Sequence, residues 1–304
     1  MSAELLCSLL GKSRQAHYKQ LKNRLIQSDQ TSVVVADVIN HRRDLPRTGT
    51  IKLLAEYQAQ WAQQGIKVGR DKLFSVLSEN RLLIRARRRR VRTTFSNHLY
   101  RKSPDLAKTF IPQEPHELYV ADITYLPLRS GEFCYLFLMT DAYSHAIVGH
   151  KVAKDLGSIH ARDVLRMAEM QRDKSKSTIH HSDRGFHYCM PAYKNSLLRM
   201  GYQPSNTQTS DPRDNPVAER INGILKHELL FPFGLASSVE VAQEMVNKAV
   251  DIYNNKRLHL SCNLKTPMQI HDKSFKAKAT WKRKSFKSEQ SITSPDNLNP
   301  EYKQ

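Results

Sequence analysis

Three acidic residues lie at positions where an isolated charge needs an explanation. Asp122 lies within residues 116–128, a strand-like segment with a central apolar stretch. A lone carboxylate there is costly unless it is paired, binds a metal ion or faces the edge of a sheet. Asp183 ends a later strand-like segment, and strand ends are where sites form in α/β sheets. Glu219 lies on the polar face of a helix that begins at Pro216.

Carboxylates provide hard oxygen ligands, which favour Mg²⁺ or Mn²⁺ over softer metal ions. Taken singly, however, each acid also fits a surface ion pair or a helix cap, because the chain contains 29 acidic residues. The spacing of Asp183 and Glu219, with 35 residues between them, is weak evidence for a shared site by itself, since several acid pairs have such a spacing by chance. The placement of the three acids, one in a first strand, one at a later strand end and one on a helix, favours a shared metal site.

The segments around these acids predict an α/β domain. Three strands joined by tight turns come first, and helices then alternate with strands, so we expect a mixed sheet rather than a parallel doubly wound one. The predicted strands are 116–128, 133–144, 146–153, 178–183 and 202–208. The predicted helices are 159–172, 190–200, 216–230 and 237–257.

The first 92 residues read as short helices, which are predicted at 3–10, 13–26, 31–45, 51–64 and 70–81. We expect Ser13, Thr50 and Ser158 to cap the helices that follow them. Ile51, Leu54, Tyr57 and Trp61 recur at the spacing of one buried helical face. Glycine turns between successive helices give two candidate helix-turn-helix units, a pattern that ordinary helical bundles share. Arg70 and Lys72, which open the last helix, are candidate DNA contacts.

Positive charge is concentrated at the two ends of the chain. Residues 1–110 contain 22 basic and 8 acidic side chains, residues 111–272 contain 18 of each, and residues 273–304 contain 8 and 3. Such segregation favours a polyanionic partner such as nucleic acid. Seven arginines lie between Arg81 and Arg92, and we expect Arg87, Arg88, Arg89 and Arg90 to bind DNA phosphates. A solvated linker or a localisation signal is the alternative interpretation of this strip.

These patterns divide the chain into four parts: a helical DNA-binding region (1–92), a linker (93–115), a catalytic core (116–272) and a basic tail that we predict to be disordered (273–304). No apolar run approaches the roughly 20 residues that span a bilayer, so no membrane helix is expected. The four cysteines are widely scattered, which gives little support to a disulfide framework.

Several short motifs resemble the catalytic core of bacterial insertion-sequence transposases, those with a retroviral-integrase-like, ribonuclease-H-fold core of the DDE type. The resemblance covers about residues 116–270 and rests on Val120-Ala121-Asp122-Ile123-Thr124-Tyr125, His181-Ser182-Asp183-Arg184-Gly185, Asp214-Asn215-Pro216-Val217-Ala218-Glu219 and Tyr253-Asn254-Asn255-Lys256-Arg257-Leu258-His259 with Thr266-Pro267. The front also resembles this family, through Ser13-Arg14-Gln15-Ala16 and Pro46-Arg47-Thr48-Gly49-Thr50. One departure is His145, which stands where the family usually has arginine.

The resemblance implies a transposase that cleaves insertion-sequence ends and transfers the strands to target DNA. Asp122, Asp183 and Glu219 would then be the catalytic, metal-binding residues, with two Mg²⁺ or Mn²⁺ ions per site. Asp122 is expected to bridge both ions, and Lys226, on the face of Glu219, to hold a DNA phosphate. Two alternatives remain open: a metal nuclease of the same fold without strand transfer, and a DNA-binding regulator with an inactive core.

The resemblance also implies partners and a location. DNA, as element terminal repeats and as target, is the expected partner, and we expect a homo-oligomer to assemble on it. In this family the catalytic protein is often encoded by the second of two overlapping frames, and beginning at Met1 with this pattern fits the second frame. A product of an upstream frame is therefore a possible partner. The expected location is the bacterial cytoplasm, in association with the nucleoid.

Overall fold

The computed structural model describes residues 11, 13–84, 102–208 and 215–273. The predicted helix at 3–10, the arginine strip from Arg85 to Arg92 and nearly all of the basic tail lie outside these described residues. Within them, three helices precede a five-stranded sheet that carries helices on both faces.

One long helix, α1 (Arg14–Asp44), replaces the two helices predicted at 13–26 and 31–45. Ser13 caps it as expected, because its hydroxyl oxygen accepts a hydrogen bond from the Ala16 N–H at 3.1 Å. The predicted break was wrong. Residues 27–31 are polar but include neither glycine nor proline, so nothing in them interrupts the helix. The first helix-turn-helix candidate begins with the helix predicted at 3–10, which lies outside the described residues.

Two shorter helices, α2 (Thr50–Gln63) and α3 (Arg70–Glu79), pack against α1 around a small core. The N-cap of α2 is Gly49 rather than Thr50, and no side chain caps it. Leu53 and Trp61 are fully buried, whereas Ile51 is 51% exposed, so the predicted buried face of α2 was wrong at Ile51. The indole N–H of Trp61 donates to an Asp37 carboxylate oxygen at 2.8 Å, which ties α2 to α1.

The sheet confirms the expected mixed five-stranded core. Its strands are β1 (Leu118–Pro127), β2 (Phe133–Asp141), β3 (Ile147–Ala153), β4 (Thr178–Ser182) and β5 (Tyr202–Asn206). They lie in the order β3-β2-β1-β4-β5. The first three strands are antiparallel, whereas β4 runs parallel to both β1 and β5. Strand β1 is therefore central, with a neighbour on each side.

Helices cover both faces of this sheet. They are α4 (Ser158–Gln171), α5 (Phe186–Cys189), α6 (Pro191–Arg199), α7 (Pro216–Ile224), α8 (Val239–Asn255) and α9 (Pro267–His271). Two corrections concern their ends. The N-cap of α4 is Gly157, so Ser158 is the first helical residue rather than the cap. The helix predicted over 216–230 changes after Ile224 into a wide π-helical segment, Leu225–Leu230, which buries Leu225, Leu229 and Leu230 in the core.

Alternation along β1 assigns its residues to two separate cores. Leu118 and Val120 join the apolar cluster beneath α7 and α8, while Tyr119 and Ala121 join the cluster beneath α4 and α6. Since successive strand residues point to opposite faces, Asp122 belongs to the α7 side. The fold thus places the Asp122 side chain beneath the helix that carries Glu219.

The segment from Lys102 to Pro115, part of the predicted linker, contacts the core. The Ser103 N–H donates to the Asn206 side-chain oxygen at 2.9 Å, and the Leu106 N–H donates to the Ser205 hydroxyl at 2.9 Å. Both partners are buried residues of β5. The front region also contacts the core, because Lys256, just after α8, pairs with Asp44 at the end of α1 at 3.1 Å.

Candidate active site

Asp122 and Asp183 lie on neighbouring parallel strands. The register pairs Ala121 of β1 with Ser182 of β4, so each carboxylate belongs to the next residue along its own strand. Asp183 directly follows Ser182, the last residue of β4, and hydrogen bonds fix the turn at this position. The Gly185 N–H donates to the Asp183 carboxylate at 2.9 Å, and the Asn206 amide donates to the Asp183 carbonyl oxygen at 3.2 Å.

Helix α7 is attached to β1 at two points on either side of Glu219. The Asn215 amide, at the N-cap, donates to the Ala121 carbonyl oxygen at 3.1 Å. The Asn222 amide donates to the Asp122 carboxylate at 2.6 Å. Residues four and three apart share a helical face, so Glu219 lies on the face of Asn215 and Asn222, although its own side chain is exposed. Glu219 therefore lies between two fixed contacts, above the strand that carries Asp122.

The apolar residues of α7 explain why it lies this way. Val217, Ala218, Ile221 and Ile224 are buried in the core cluster beneath it. Fully burying an aliphatic side chain of this size stabilises a fold by about 1.5–3 kcal/mol. The hydrophobic face thus sets the rotation of α7 about its axis. The hydrogen bonds of Asn215 and Asn222 set the position of the helix along β1.

The electrostatics show that the three carboxylates interact. Burial raises the pKa of Asp122 to about 8, with the Asp183 and Glu219 carboxylates adding to the rise. The Asn222 amide opposes this rise because it hydrogen-bonds the ionised form. Burial also raises the pKa of Glu219, which Lys226 lowers and Asp183 raises. A cation bound between these carboxylates would offset the repulsion between their like charges at this end of the sheet.

The predicted DNA-contact residues lie in three different places. Lys226, in the π-helical segment, is close enough to Glu219 to lower its pKa, as the shared helical face predicted. Arg70 and Lys72 are exposed on the first turn of α3, where Arg70 pairs with Asp71 at 2.9 Å. Arg87, Arg88, Arg89 and Arg90 lie outside the described residues.

Sequence reasoning gave Asn222 no role, although it placed the residue on the Glu219 face. It is 6% exposed, and its side-chain oxygen has no hydrogen-bond partner among the described residues. An uncharged amide on a helix carries no signal of its own. Its seven-residue spacing from Asn215, with Glu219 between them, is the pattern that could have revealed it.

A second group with metal-ligand potential lies toward the start of β1. Ligand atoms of His116, Asp141 and His271 come within 4.8 Å of one another, and all three residues are buried. One Asp141 oxygen accepts hydrogen bonds from the Tyr143 and Ser144 N–H groups and from the Ser144 hydroxyl, and the other accepts from the His116 N–H at 2.6 Å. These four bonds engage the carboxylate in holding the turn after β2.

Comparisons with known proteins place this geometry in a family. Models described as the integrase core domain match residues 112–212 and 200–267. The insertion element IS600 31 kDa protein of Shigella sonnei is 30% identical over 273 residues, which cover 88% of this chain and 98% of that protein. A Mycobacterium tuberculosis relative, named as a transposase for insertion sequence element IS986/IS6110, is 31% identical over 214 residues, 68% of this chain and 77% of its own length.

The chain belongs to the insertion-sequence transposases that carry an integrase core domain. The matched span, 112–267, contains all five strands and all three carboxylates of this transposase. Among solved structures, the HTLV-2 integrase catalytic core domain in complex with magnesium overlaps 52% of this chain and 97% of its own, with 20% identity and a TM-score of 0.42. None of the described helices is long and apolar enough to cross a membrane.

Proposed function

We propose that this transposase cleaves the ends of its insertion sequence and joins them to target DNA, with Asp122, Asp183 and Glu219 as its metal-binding catalytic residues. The observation that carries the proposal is the convergence of three carboxylates from β1, the end of β4 and α7, where burial, followed by the charges of Asp183 and Glu219, raises the pKa of Asp122 to about 8. A fold gains no stability from such repulsion, so a ligand is the natural reason for retaining it.

The residues present fit a divalent cation, on which integrase-core proteins depend. Three carboxylates and the amide oxygen of Asn222, which has no hydrogen-bond partner in the described part of the chain, offer only oxygen donors, the set that Mg²⁺ and Mn²⁺ prefer. We propose two ions per site, which Asp122, Asp183 and Glu219 would hold together. What such ions supply is activation of the attacking oxygen and stabilisation of the leaving oxygen in a phosphodiester displacement.

The chain's own residues hold and orient the groups involved. Asn222 holds one oxygen of Asp122 in place. Its hydrogen bond to the ionised form lowers the pKa of that carboxylate. Asn215 fixes the start of α7, so that Glu219 stays above β1. Lys226, near Glu219, supplies a positive charge for a DNA phosphate beside the reacting bond.

DNA is the proposed partner, as both element ends and target, and we propose that copies of the chain assemble on it. The basic front supplies the general attraction, since 22 of the 48 basic residues lie in the first 110 positions against only 8 acids. A product of an upstream reading frame is a further proposed partner. Association with the bacterial nucleoid would follow from the DNA binding.

A strand-transfer assay tests the proposal. Purified protein is given a pre-nicked element end and a target duplex in Mg²⁺, and joined product is followed alongside hydrolysis. Joined product is expected. Hydrolysis without joining would favour the same-fold nuclease, and DNA binding without either reaction would favour a regulator with an inactive core. The complete set of three carboxylates favours the transposase over that regulator.

A further inference from the structure

A chain of hydrogen bonds connects the segment that enters the core, residues 103–106, to the turn at Asp183, and Asn206 is its central residue. The side-chain oxygen of Asn206 accepts a hydrogen bond from the Ser103 N–H at 2.9 Å. Its amide nitrogen donates to the Ser182 hydroxyl at 3.1 Å and to the Asp183 carbonyl oxygen at 3.2 Å. Asn206 is 3% exposed, which shields these bonds from water. One buried amide thus joins the entering segment to the strand end beside a proposed metal ligand.

Residues 103–106, which we call the docked segment, contact the sheet at two further points. The Leu106 N–H donates to the Ser205 hydroxyl at 2.9 Å, and the same hydroxyl bonds the His181 ring nitrogen Nδ1 at 2.9 Å. An Asp105 carboxylate oxygen lies 3.8 Å from that nitrogen, and both side chains are buried. His181 belongs to β4 and Ser205 to β5. The docked segment is therefore held against the two strands that end beside Asp183.

Asn206 and Gly185 hold Asp183 at two different atoms. The Gly185 N–H donates to a carboxylate oxygen at 2.9 Å, which orients the side chain. The Asn206 amide holds the carbonyl oxygen, which orients the peptide between Asp183 and Arg184. The turn is tight, because a Cβ at Gly185 would lie 2.9 Å from the same carboxylate oxygen. Since ligands must be held within about 0.5 Å of their working geometry, release of this peptide is enough to misplace the carboxylate.

We infer that Asn206 is a positioning residue for Asp183, and that the docked segment must be in place for the three carboxylates to bind metal fully. This inference rests on the proposed function, which makes Asp183 a metal ligand. The front region precedes the docked segment in the chain, so the site becomes sensitive to how the front joins the core. Losing a hydrogen-bonded partner behind a metal ligand typically weakens metal binding or activity by about 10- to 100-fold. Asn206 acts through the backbone, which favours the lower figure.

Mn²⁺ binding to the full chain tests this role of Asn206 without DNA. The EPR signal of free Mn²⁺ measures the dissociation constant. Asn206→Ala should raise that constant by about 10-fold and lower the kcat of strand transfer by a similar factor, with the KM for DNA unchanged. Gln203→Ala is the matched control on β5, because it also removes a side-chain hydrogen bond, the one that the Gln203 amide donates to the Ser177 hydroxyl at 2.6 Å. It should change none of these values.

Ser103→Pro tests the docked segment separately. Proline has no N–H, so this change removes the bond to Asn206 and leaves the bond between Asn206 and Asp183 in place. We expect Mn²⁺ binding to weaken about 3-fold, the effect of one ordinary hydrogen bond. In EDTA, amide hydrogen exchange should become faster both at 103–106 and at 183–185. Ser103→Ala keeps the N–H and is the matched control, with wild-type binding and exchange expected.

The outcomes separate this inference from the proposed function. Wild-type Mn²⁺ affinity in Asn206→Ala would make the assignment of Asn206 wrong, even where strand transfer succeeds. Wild-type affinity and exchange in Ser103→Pro would overturn the requirement for the docked segment, and this variant is informative even if Asn206→Ala does not fold. If the wild-type protein transfers no strands but the Mn²⁺ dissociation constants shift as expected, the proposed function is wrong and the assignment of Asn206 stands.

Discussion

The Asn222 amide donates to the Asp122 carboxylate at 2.6 Å across the contact between α7 and β1. This bond joins the helix that carries Glu219 to the strand that carries the most strongly perturbed acid of the site. The side-chain oxygen of Asn222 is buried and has no hydrogen-bond partner among the described residues. Asn222 is therefore a positioning residue that acts through Asp122.

Replacing Asn222 with alanine tests this role. The change removes a hydrogen bond to the ionised form, so the pKa of Asp122 should rise further and the strand-transfer rate should reach its plateau at higher pH. A hydrogen bond to a charged group is worth about 1.5–3 kcal/mol, so we expect roughly a 10- to 100-fold loss of rate near pH 7.5. Asn195→Ala, on the exposed face of α6, is the control. A pH profile that keeps its wild-type midpoint would contradict the assignment.

Stability without metal should depend on pH through Asp122. Its pKa is about 8 in the folded protein against an ordinary 3.8, so the folded state retains a proton that the unfolded chain releases between these values. The free energy of unfolding should therefore fall as pH rises from 4 to 8 in EDTA. Urea unfolding at pH 5, 6, 7 and 8 measures this, and Asp122→Asn should flatten the curve.

Added Mg²⁺ should reverse that trend, because binding requires the ionised carboxylate. The rise in melting temperature with Mg²⁺ should grow from pH 6 to pH 8 in wild type and vanish in Asp122→Asn. An Mg²⁺ concentration of 100 times the dissociation constant would add about 2.7 kcal/mol. Equal stabilisation of wild type and Asp122→Asn would place the ion elsewhere.

Close packing of α4 on the sheet makes Gly149 sensitive to substitution. A Cβ at this position of β3 would lie 2.5 Å from the Val164 carbonyl oxygen, a backbone atom that cannot move alone. We expect Gly149→Ala to cost about 1–3 kcal/mol in urea unfolding. Gly223→Ala is the control, since nothing lies within 4 Å of its Cβ and alanine favours a helix by up to about 1 kcal/mol. Equal effects in the two variants would contradict the tight contact.

Changing Arg87, Arg88, Arg89 and Arg90 together to glutamine tests the arginine strip. If the strip binds phosphates, the affinity for element-end DNA and for arbitrary DNA should fall by a similar factor. The slope of log affinity against log salt concentration should decrease by the equivalent of up to about four phosphate contacts. Sequence preference should survive, because phosphates position a protein without specifying sequence. Selective loss for the terminal repeat would mean that the strip reads bases or groove shape.

Local sequence patterns predicted most of the core correctly. The order of the five strands and of α4, α6, α7 and α8 follows from alternation and turn residues, and Asp183 directly follows β4, but the short α5 was not predicted. The long α1 was missed because a polar stretch was taken for a break, although it has no helix-breaking residue. Ile51 was misplaced because Leu53 and Trp61, with a different rotation of α2, face the neighbouring helices.

Contacts between distant segments could not be read in this way. Asn222 and Asp122 are 100 positions apart, and their bond depends on how α7 rotates on its apolar face. Lys256 pairs with Asp44 because the front region packs beside the end of α8, a relationship that no local pattern encodes. The candidate trio was found from the sequence, while the residues that hold it required the fold.

Strand transfer by Asp122→Asn, Asp183→Asn and Glu219→Gln, compared with wild type in Mg²⁺, tests the central claim most directly. Each substitution keeps the size of the side chain and removes one anionic ligand. The account predicts that joined product disappears in all three variants while their affinity for DNA stays near that of wild type. Near wild-type strand transfer by any one of them would contradict the assignment of that carboxylate to the catalytic site.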